Sequence, residues 1–318
     1  MLHHPESFRF STDGVPESQR PRAIRELRDR GILPIEPLPN RAVHLDIAKW
    51  FLPSLGILTG TLCGLRQEGT PHDGNDDLFF GINVAGHGVV MQRGREIAPG
   101  NGDAFLLSVN AGAFAISRPT YSHFVGLRVP RNAIAPLVKD LDDDTLRRIP
   151  GMSDSVKLLA SYLGALLSGR VLASPETARI VVTHVHDLIA ICLGATGEAA
   201  AVAEDRSIPA ARLRSIKSDI LANLEDEALR IGDIAARHRV TPRYVHRLFE
   251  REGITYTQFV LRQRLERTYR MLQDPRFTAW TISSIAYECG FGDLSYFNRT
   301  FRRHYGRTPS DVKNGNRF

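Results

Sequence analysis

Residues 234–249 read IAARHRVTPRYVHRLF, and residues 285–301 read IAYECGFGDLSYFNRTF. Both stretches have the pattern of a helix-turn-helix: a short helix that begins with Ile-Ala, a turn, and a second, amphipathic helix. The second copy contains one extra residue, which we assign to its second helix. Two such units about fifty residues apart predict two recognition helices in the last third of the chain.

The first recognition helix has a predicted N-cap at Thr241 and a proline, Pro242, in its first helical position. Its apolar residues recur at a spacing of three and four and therefore share one face. They are Val245, Leu248 and Phe249. The opposite face, which a DNA major groove would meet, presents Arg243, His246, Arg247 and Glu250.

In the second copy, Gly290 supplies the turn, Phe291 replaces Val240 as the buried plug, and Asp293 is the predicted N-cap. Phe297 and Phe301 face inward. The residues that we expect to point outward are Leu294, Ser295, Asn298, Arg299 and Arg302. Arginine and asparagine on this face suit bidentate contacts to guanine and adenine edges.

The stretch between the copies, Thr255 to Leu272, has apolar residues at roughly helical spacing. A continuous helix from Gln258 to Leu272 spans about 22 Å at ~1.5 Å per residue. Such a helix would separate two recognition helices that are aimed at successive turns of one DNA face, roughly 34 Å apart. The alternative is that both copies are ordinary amphipathic helices of a bundle.

The positive charge of the chain is concentrated in the same region. Residues 207–318 contain 20 lysines and arginines and 12 aspartates and glutamates, a net charge of +8, so the other 206 residues carry −2 of the formal +6. A basic domain of this kind is typical of phosphate binding, which salt weakens through counterion release.

These residues resemble the AraC/XylS family of transcription regulators. The resemblance rests on the tandem motif, on G-F-x-D-x-S-x-F-x-R-x-F from Gly290 to Phe301, and on the ending GRTPSDVK from Gly306 to Lys313, and it covers about 110 residues. It implies sequence-specific DNA binding through both second helices. The positions that it assigns to DNA are Arg243, His246 and Arg247, and then Leu294, Ser295, Asn298 and Arg299, to which we add Thr241 and Arg302. Two residues depart from the family pattern, since Arg239 replaces a common glycine and Leu294 a usual polar residue.

The N-terminal part has short strand-like runs between Leu55 and Val129, separated by Gly, Asn, Asp and Pro. The runs are GILTGTLCGL, DLFFGINVAG, HGVVMQR, DAFLLSV, GAFAISR and HFVGLRV. They predict a β-sandwich or β-barrel. From Arg131 onward the period becomes helical and predicts two packed helices, the second of which can pair with another copy of the chain. The predicted fold class is therefore α+β with an all-α C-terminal domain.

We divide the chain into an N-terminal domain at 1–193, a linker at 194–211 and a DNA-binding domain at 212–318. The linker sequence, GATGEAAAVAEDRSIPAA, is small, flexible and without apolar periodicity. Its alanines can alternatively extend a helix. The N-terminal domain is similar to the cupin-like sensor domain of some AraC/XylS regulators, in particular at GREIAPGNGDAFLL from Gly94 to Leu107. That similarity implies a small-molecule effector in the barrel and a homodimer formed by the helices.

Other function classes lack their motifs. His184 and His186 form an H-x-H, but on a predicted helix these positions face apart and cannot bind one metal ion together. Three scattered cysteines argue against a disulfide framework and a zinc site. Without an apolar N-terminal run, we expect a cytoplasmic protein that does not bind a membrane. We expect no catalysis, no cofactor and no metal.

The expected partners are double-stranded promoter DNA, a small effector, a second copy of the chain, and RNA polymerase if the protein activates transcription. Two alternatives remain at this stage. The N-terminal domain can serve only for dimerisation or for binding a protein partner, or it can be a metal-dependent cupin enzyme fused to a DNA-binding domain.

Overall fold

The computed structural model describes residues 7–29, 34–71, 76–138, 141, 146–167, 174–195 and 197–315. The chain divides into two compact units, residues 1–211 and residues 212–318. The first unit contains antiparallel sheets and helices, and the second contains helices. The predicted α+β class is confirmed.

The N-terminal unit is built on two antiparallel sheets. In the described residues the strands are β1 Ser7–Ser11, β2 Ile35–Pro37, β3 His44–Leu52, β4 Leu55–Cys63, β5 Leu65–Gly69, β6 Asp77–Ala85, β7 Val89–Gln92, β8 Arg95–Ile97, β9 Ala104–Ser108, β10 Phe114–Arg118, β11 Ser122–Pro130 and β12 Arg147–Ile149. One sheet has the order β1-β3-β4-β11-β6-β9-β12 and the other the order β2-β5-β10-β7-β8. The two sheets do not close into a barrel, so the sandwich alternative describes this unit.

Apolar side chains from both sheets meet between them. One cluster joins Leu45 and Ile47 of β3 to Ile35 of β2 and Leu65 of β5. Helix α1, Arg20–Asp29, adds Ile24 and Leu27 to the same cluster. A second cluster joins β6 and β9 to β7 and β10. These clusters hold the two sheets face to face.

The opposite face of the larger sheet packs against helices. Helix α2 (Arg131–Ile134) follows β11, and helices α3 (Asp154–Leu167) and α4 (Pro175–Cys192) form the predicted hairpin. The apolar residues of α4, including Val181, Val185 and Leu188, are buried in this core with Phe80 and Leu127 of the sheet. Contacts within the chain therefore bury most of the apolar side of α4. Pairing of α4 with a second copy of the chain stays a prediction.

The predicted flexible linker is a helix instead. Helix α5 spans Glu198–Ala222, so the alternative in which the alanines extend a helix describes the structure. Its N-terminal half is fixed by the buried carboxylate of Asp187, which accepts hydrogen bonds from the Ser207 hydroxyl at 2.5 Å and from the Arg206 guanidinium at 2.8 Å. Alanine has the highest helix propensity. The side-chain hydrogen bonds to Asp187 also hold this helix in place, and amino-acid composition does not reveal them.

The C-terminal unit contains two small cores, one for each motif. Its helices after α5 are α6 Ile231–Arg237, α7 Pro242–Glu250, α8 Tyr256–Gln273, α9 Ile282–Glu288, α10 Leu294–Tyr305 and α11 Pro309–Asn314. Val245, Leu248 and Phe249 of α7 lie in the first core, and Phe297 and Phe301 of α10 lie in the second, as the spacing predicted. No helix in the described part of the chain has the length and apolar character that a bilayer crossing requires.

Replacing Asp187 by alanine tests the anchor of α5. Ser207 is fully buried, so loss of its acceptor should cost about 1–3 kcal/mol and increase local opening of α5. Hydrogen exchange over residues 200–211 should accelerate about tenfold or more. Glu176→Ala, which removes an exposed carboxylate near the start of α4, is the control. Equal exchange in both variants would show that the anchor does not hold this helix.

Candidate nucleic-acid interface

The two recognition helices begin with the same construction. The Thr241 hydroxyl accepts a hydrogen bond from the Tyr244 amide at 3.2 Å, and Pro242 occupies the first turn of α7. At α10, the Asp293 carboxylate accepts hydrogen bonds from the Ser295 and Tyr296 amides at 2.7 and 2.9 Å. These amides hold the pKa of Asp293 below its ordinary value. Both predicted N-caps are present.

When the two helices are compared from their N-caps, their residues correspond position by position. Tyr244 corresponds to Tyr296, and Arg247 corresponds to Arg299. The buried positions correspond too, and they pair Val245 with Phe297 and Phe249 with Phe301. The charge is reversed at one position, since Glu250 of α7 stands where α10 has Arg302.

The extra residue of the second copy lies in the turn and not in the second helix. The amides of Val240 and Phe291 both bond back to the Ile-Ala helix, at the carbonyls of Ala235 and Ala286. Thr241 follows Val240 directly, whereas Gly292 stands between Phe291 and the cap Asp293. Our assignment of the extra residue to the second helix was therefore wrong. The number of residues in a motif does not show where its turn ends and its second helix begins.

At Gly292 a side chain would enter space that the Glu227 side chain occupies, so Glu227 would have to move. A Cβ there would collide with the Glu227 carboxylate. The preceding turn residues adopt a left-handed backbone in both copies, with φ of 53° at Arg239 and 82° at Gly290. Arg239 therefore takes the conformation that glycine takes in the second copy, at a cost of roughly 1–2 kcal/mol for a residue with a Cβ.

The predicted DNA-contacting residues lie on two exposed faces. In α7 and its cap, Thr241, Arg243, His246 and Arg247 are exposed. In α10, Ser295, Asn298, Arg299 and Arg302 are exposed. Arg247 lies over the ring of Tyr244, with the guanidinium carbon 4.9 Å from the ring centroid, and this contact restrains its direction.

Leu294 differs from the other predicted residues. Its side chain is half-buried and packs against the core of the second motif, so the prediction that it points outward was wrong. Placed directly after the cap, it closes the end of that core. The Asn298 amide donates a hydrogen bond to the Leu294 carbonyl at 2.9 Å, which uses one of its two N–H donors.

Ion pairs hold several basic residues of the C-terminal unit, but within the described residues they hold none on the two exposed faces. Away from the faces, the ion pairs are Lys217 with Glu252, Arg237 with Asp219, Arg262 with Glu266, Arg267 with Glu225 and Arg276 with Asp274. Among the described residues, no acidic side chain forms an ion pair with Arg243, His246, Arg247, Arg299 or Arg302. The two faces thus carry arginines outside ion pairs, with Asp293 near enough to Arg299 and Asp311 near enough to Arg302 to interact through charge.

Helix α8 joins the two motifs as predicted. Its first half contributes Tyr256 and Val260 to the core of the first motif, and its second half contributes Leu265 and Leu272 to the core of the second. At ~1.5 Å per residue its 18 residues span about 27 Å. One rigid element therefore sets the separation of the two exposed faces.

The N-terminal unit contains a second candidate site, which the sequence did not predict. A cavity of about 890 Å³ opens between the two sheets, where its lining includes Lys49, Arg128, Phe51, Phe79 and Phe114. Lys49 lies in β3, a strand absent from our sequence prediction. The signal was available in the alternation of Leu45, Ile47 and Lys49, which places a lysine on an inward face.

The histidine pair on α4 has separate partners. His184 Nδ1 lies 3.0 Å from the Tyr162 hydroxyl, and His186 Nε2 lies 3.0 Å from the Ser54 carbonyl oxygen. Burial lowers the pKa of His186. Within the described ranges, no group of three or more His, Cys, Asp or Glu side chains is placed to hold a metal ion.

Comparison with known proteins gives the same assignment as the motifs. Residues 234–315 match the family described as a helix-turn-helix domain. The transcriptional activator RhrA of Rhizobium meliloti (strain 1021) is 32% identical over 225 residues, which cover 71% of this chain and 69% of RhrA. The chain belongs to the AraC/XylS family. It is accordingly an AraC-type DNA-binding transcription regulator.

Two further matches extend over much of this AraC-type chain. The transcriptional activator NphR of a Rhodococcus species is 28% identical over 226 residues, covering 69% of this chain and 64% of NphR. The chain also matches the crystal structure of the AraC-like transcriptional activator CuxR, with 18% sequence identity and a TM-score of 0.48. This match covers 83% of the chain and 95% of the CuxR chain.

Gly290→Ala tests the turn of the second motif. The Leu224 carbonyl oxygen lies 2.5 Å from the position of the new Cβ, and the left-handed backbone alone costs roughly 1–2 kcal/mol. We expect faster hydrogen exchange over residues 282–305. Gly253→Ala is the matched control, because Gly253 has a left-handed backbone with φ of 72° but open space at the position of its new Cβ. Equal acceleration around both turns would contradict this explanation.

Proposed function

We propose that this regulator recognises a two-part promoter site through α7 and α10 and that a small effector bound in the N-terminal unit controls this activity. The observation that carries the DNA-binding part is the pair of helices that match from their N-caps and present exposed basic and amide side chains. Arg243, His246 and Arg247 face one major groove. Ser295, Asn298 and Arg299 face the next.

Two residues have backbone roles in this proposal. Arg302 lies further along the exposed face of α10 and suits a phosphate, as a contact without sequence information. Thr241 lies at the N-terminus of α7, where the positive end of the helix dipole favours a phosphate. Leu294 supports α10 from the core side and leaves the reading to its polar neighbours.

The cavity between the two sheets supports the effector part. Its volume of about 890 Å³ lies within the ~300–1,000 Å³ of small-molecule sites, and its walls combine aromatic rings with a few polar groups. RhrA and NphR are both named transcriptional activators. We propose activation, with RNA polymerase as a partner, and a homodimer as the working form.

The decisive experiment is selection of binding sites from random duplex DNA by the full-length protein at near-physiological salt. The tandem helices predict a motif with two blocks separated by about one helical turn, roughly 34 Å. A motif with one block would show that only one helix reads bases. Binding that selects no sequence and disappears with rising salt would contradict sequence recognition by this chain.

Two substitutions on α10 separate base reading from phosphate binding. Arg299→Ala should reduce discrimination at one base pair by about 1–3 kcal/mol. Arg302→Ala should weaken binding to all sequences alike and reduce the magnitude of the slope of log affinity against log salt by about 1. Titrations of the selected site and its single-base variants measure both effects.

Arg276→Ala is the control for these titrations, because Arg276 is exposed but paired with Asp274 away from both faces. It should retain affinity and base preference. If Arg299→Ala also retained both, the reading face would be wrongly assigned.

A further inference from the structure

Lys49 lies on the face of strand β3 whose earlier residues belong to the core. Leu45 and Ile47 of β3 are buried between the two sheets, and Lys49 follows at the two-residue period of a strand. Its ammonium lies 4.6 Å from the ring centroid of Phe51, the next residue on that face. A half-buried lysine thus enters the space between the sheets.

The register of the larger sheet brings Arg128 to the same region. Lys49 pairs with Leu58 of β4, while Phe51 and Arg128 both pair with Gly56 from opposite sides. Gly56 has no side chain, so the long side chains of the neighbouring strands can extend over it. Phe79 follows Arg128 in the same row, on β6. The cavity of about 890 Å³ lies over these residues.

The acidic residues that line this cavity are all neutralised. Glu36 pairs with Arg28, Asp77 pairs with Arg128 at 2.5 Å, and Glu68 pairs with Arg66 at 2.7 Å. No such partner faces Lys49 among the residues that the structure describes. Among the charged residues of the lining, Lys49 is thus the one for which the described residues show no ion pair.

The surroundings of Lys49 disfavour this charge. Burial and the neighbouring Arg128 guanidinium both lower the pKa of the Lys49 ammonium below the ordinary lysine value. A bound anion would relieve that repulsion and complete an ion pair in a partly desolvated place, where it is worth more than at the surface. The aromatic lining residues Phe51, Phe79 and Phe114 provide apolar contact for the rest of such a molecule.

We infer that the effector is a small organic anion: one acidic group, held by Lys49 with Arg128 beside it, on an apolar or aromatic body that fills the cavity. The Gln67 amide on the opposite sheet also lines the cavity and can bond a polar substituent of that body. This inference rests on the proposed effector site in the N-terminal unit and names the chemical class that the site selects.

Two dyes with the same rings test the inference on the full-length protein. The first, 8-anilino-1-naphthalenesulfonate, is a monoanion, and the second, N-phenyl-1-naphthylamine, lacks the sulfonate and is neutral. Fluorescence titration gives both affinities for the wild type, Lys49→Met and Lys49→Gln. We expect either substitution to lower the affinity for the sulfonate dye at least tenfold. The affinity for the neutral dye should change less than twofold. A near-UV circular dichroism spectrum like that of the wild type shows that each variant is folded.

Lys157→Met is the matched control. Lys157 is a lysine of the same unit whose ammonium bonds the Met152 carbonyl outside the cavity. It should leave both affinities unchanged. If Lys157→Met lowered the affinity for the sulfonate dye as much as Lys49→Met does, the dye would bind by non-specific electrostatic attraction. The inference would then fail.

The remaining outcomes separate this inference from the proposed effector site. If both dyes bind and Lys49→Met and Lys49→Gln change neither affinity, the cavity accepts ligands but the anionic class is wrong. If the wild type binds neither dye, the cavity does not accept ring-sized ligands, and the effector site and its anionic class both fail.

Discussion

The hydrogen bonds at the two N-caps are the constraint on which the rest of the C-terminal unit depends. Thr241 and Asp293 fix the residue at which each recognition helix begins. Because a helix turns about 100° per residue, the start determines which side chains enter the core and which face outward. The shared order of buried positions in α7 and α10 follows from these two caps.

Much of this unit could be predicted from the sequence because its signals are local. Proline after threonine, glycine in the turn and apolar spacing of three and four each act within a few residues. The position of the extra residue does not depend on such local signals. Gly292 belongs to the turn because the Phe291 amide bonds to Ala286 and because Glu227, distant in sequence, fills the space beside it.

The N-terminal unit was predicted less completely, since its information is spread across strands. The runs from Leu55 to Val129 indicated strands and a sandwich or barrel, but β3 was not predicted because Asp46 and Lys49 interrupt its apolar character. The cavity depends on the cross-strand register that unites Phe51, Gly56 and Arg128. No single segment contains that register. The helical form of residues 198–211 likewise depends on Asp187, a contact across about twenty positions.

The cap-based correspondence also governs how the two motifs can exchange parts. From Thr241 to Asp293 the offset is 52 positions, whereas the Ile-Ala pairs at 234 and 285 are offset by 51. A graft of the α7 surface onto α10 that used the smaller offset would rotate the transplanted face by about 100°. Leu248 would then replace Arg299 on the outside, and Glu250 would replace Phe301 in the core. Modular as they look in sequence, the two motifs are interchangeable only when counted from their caps.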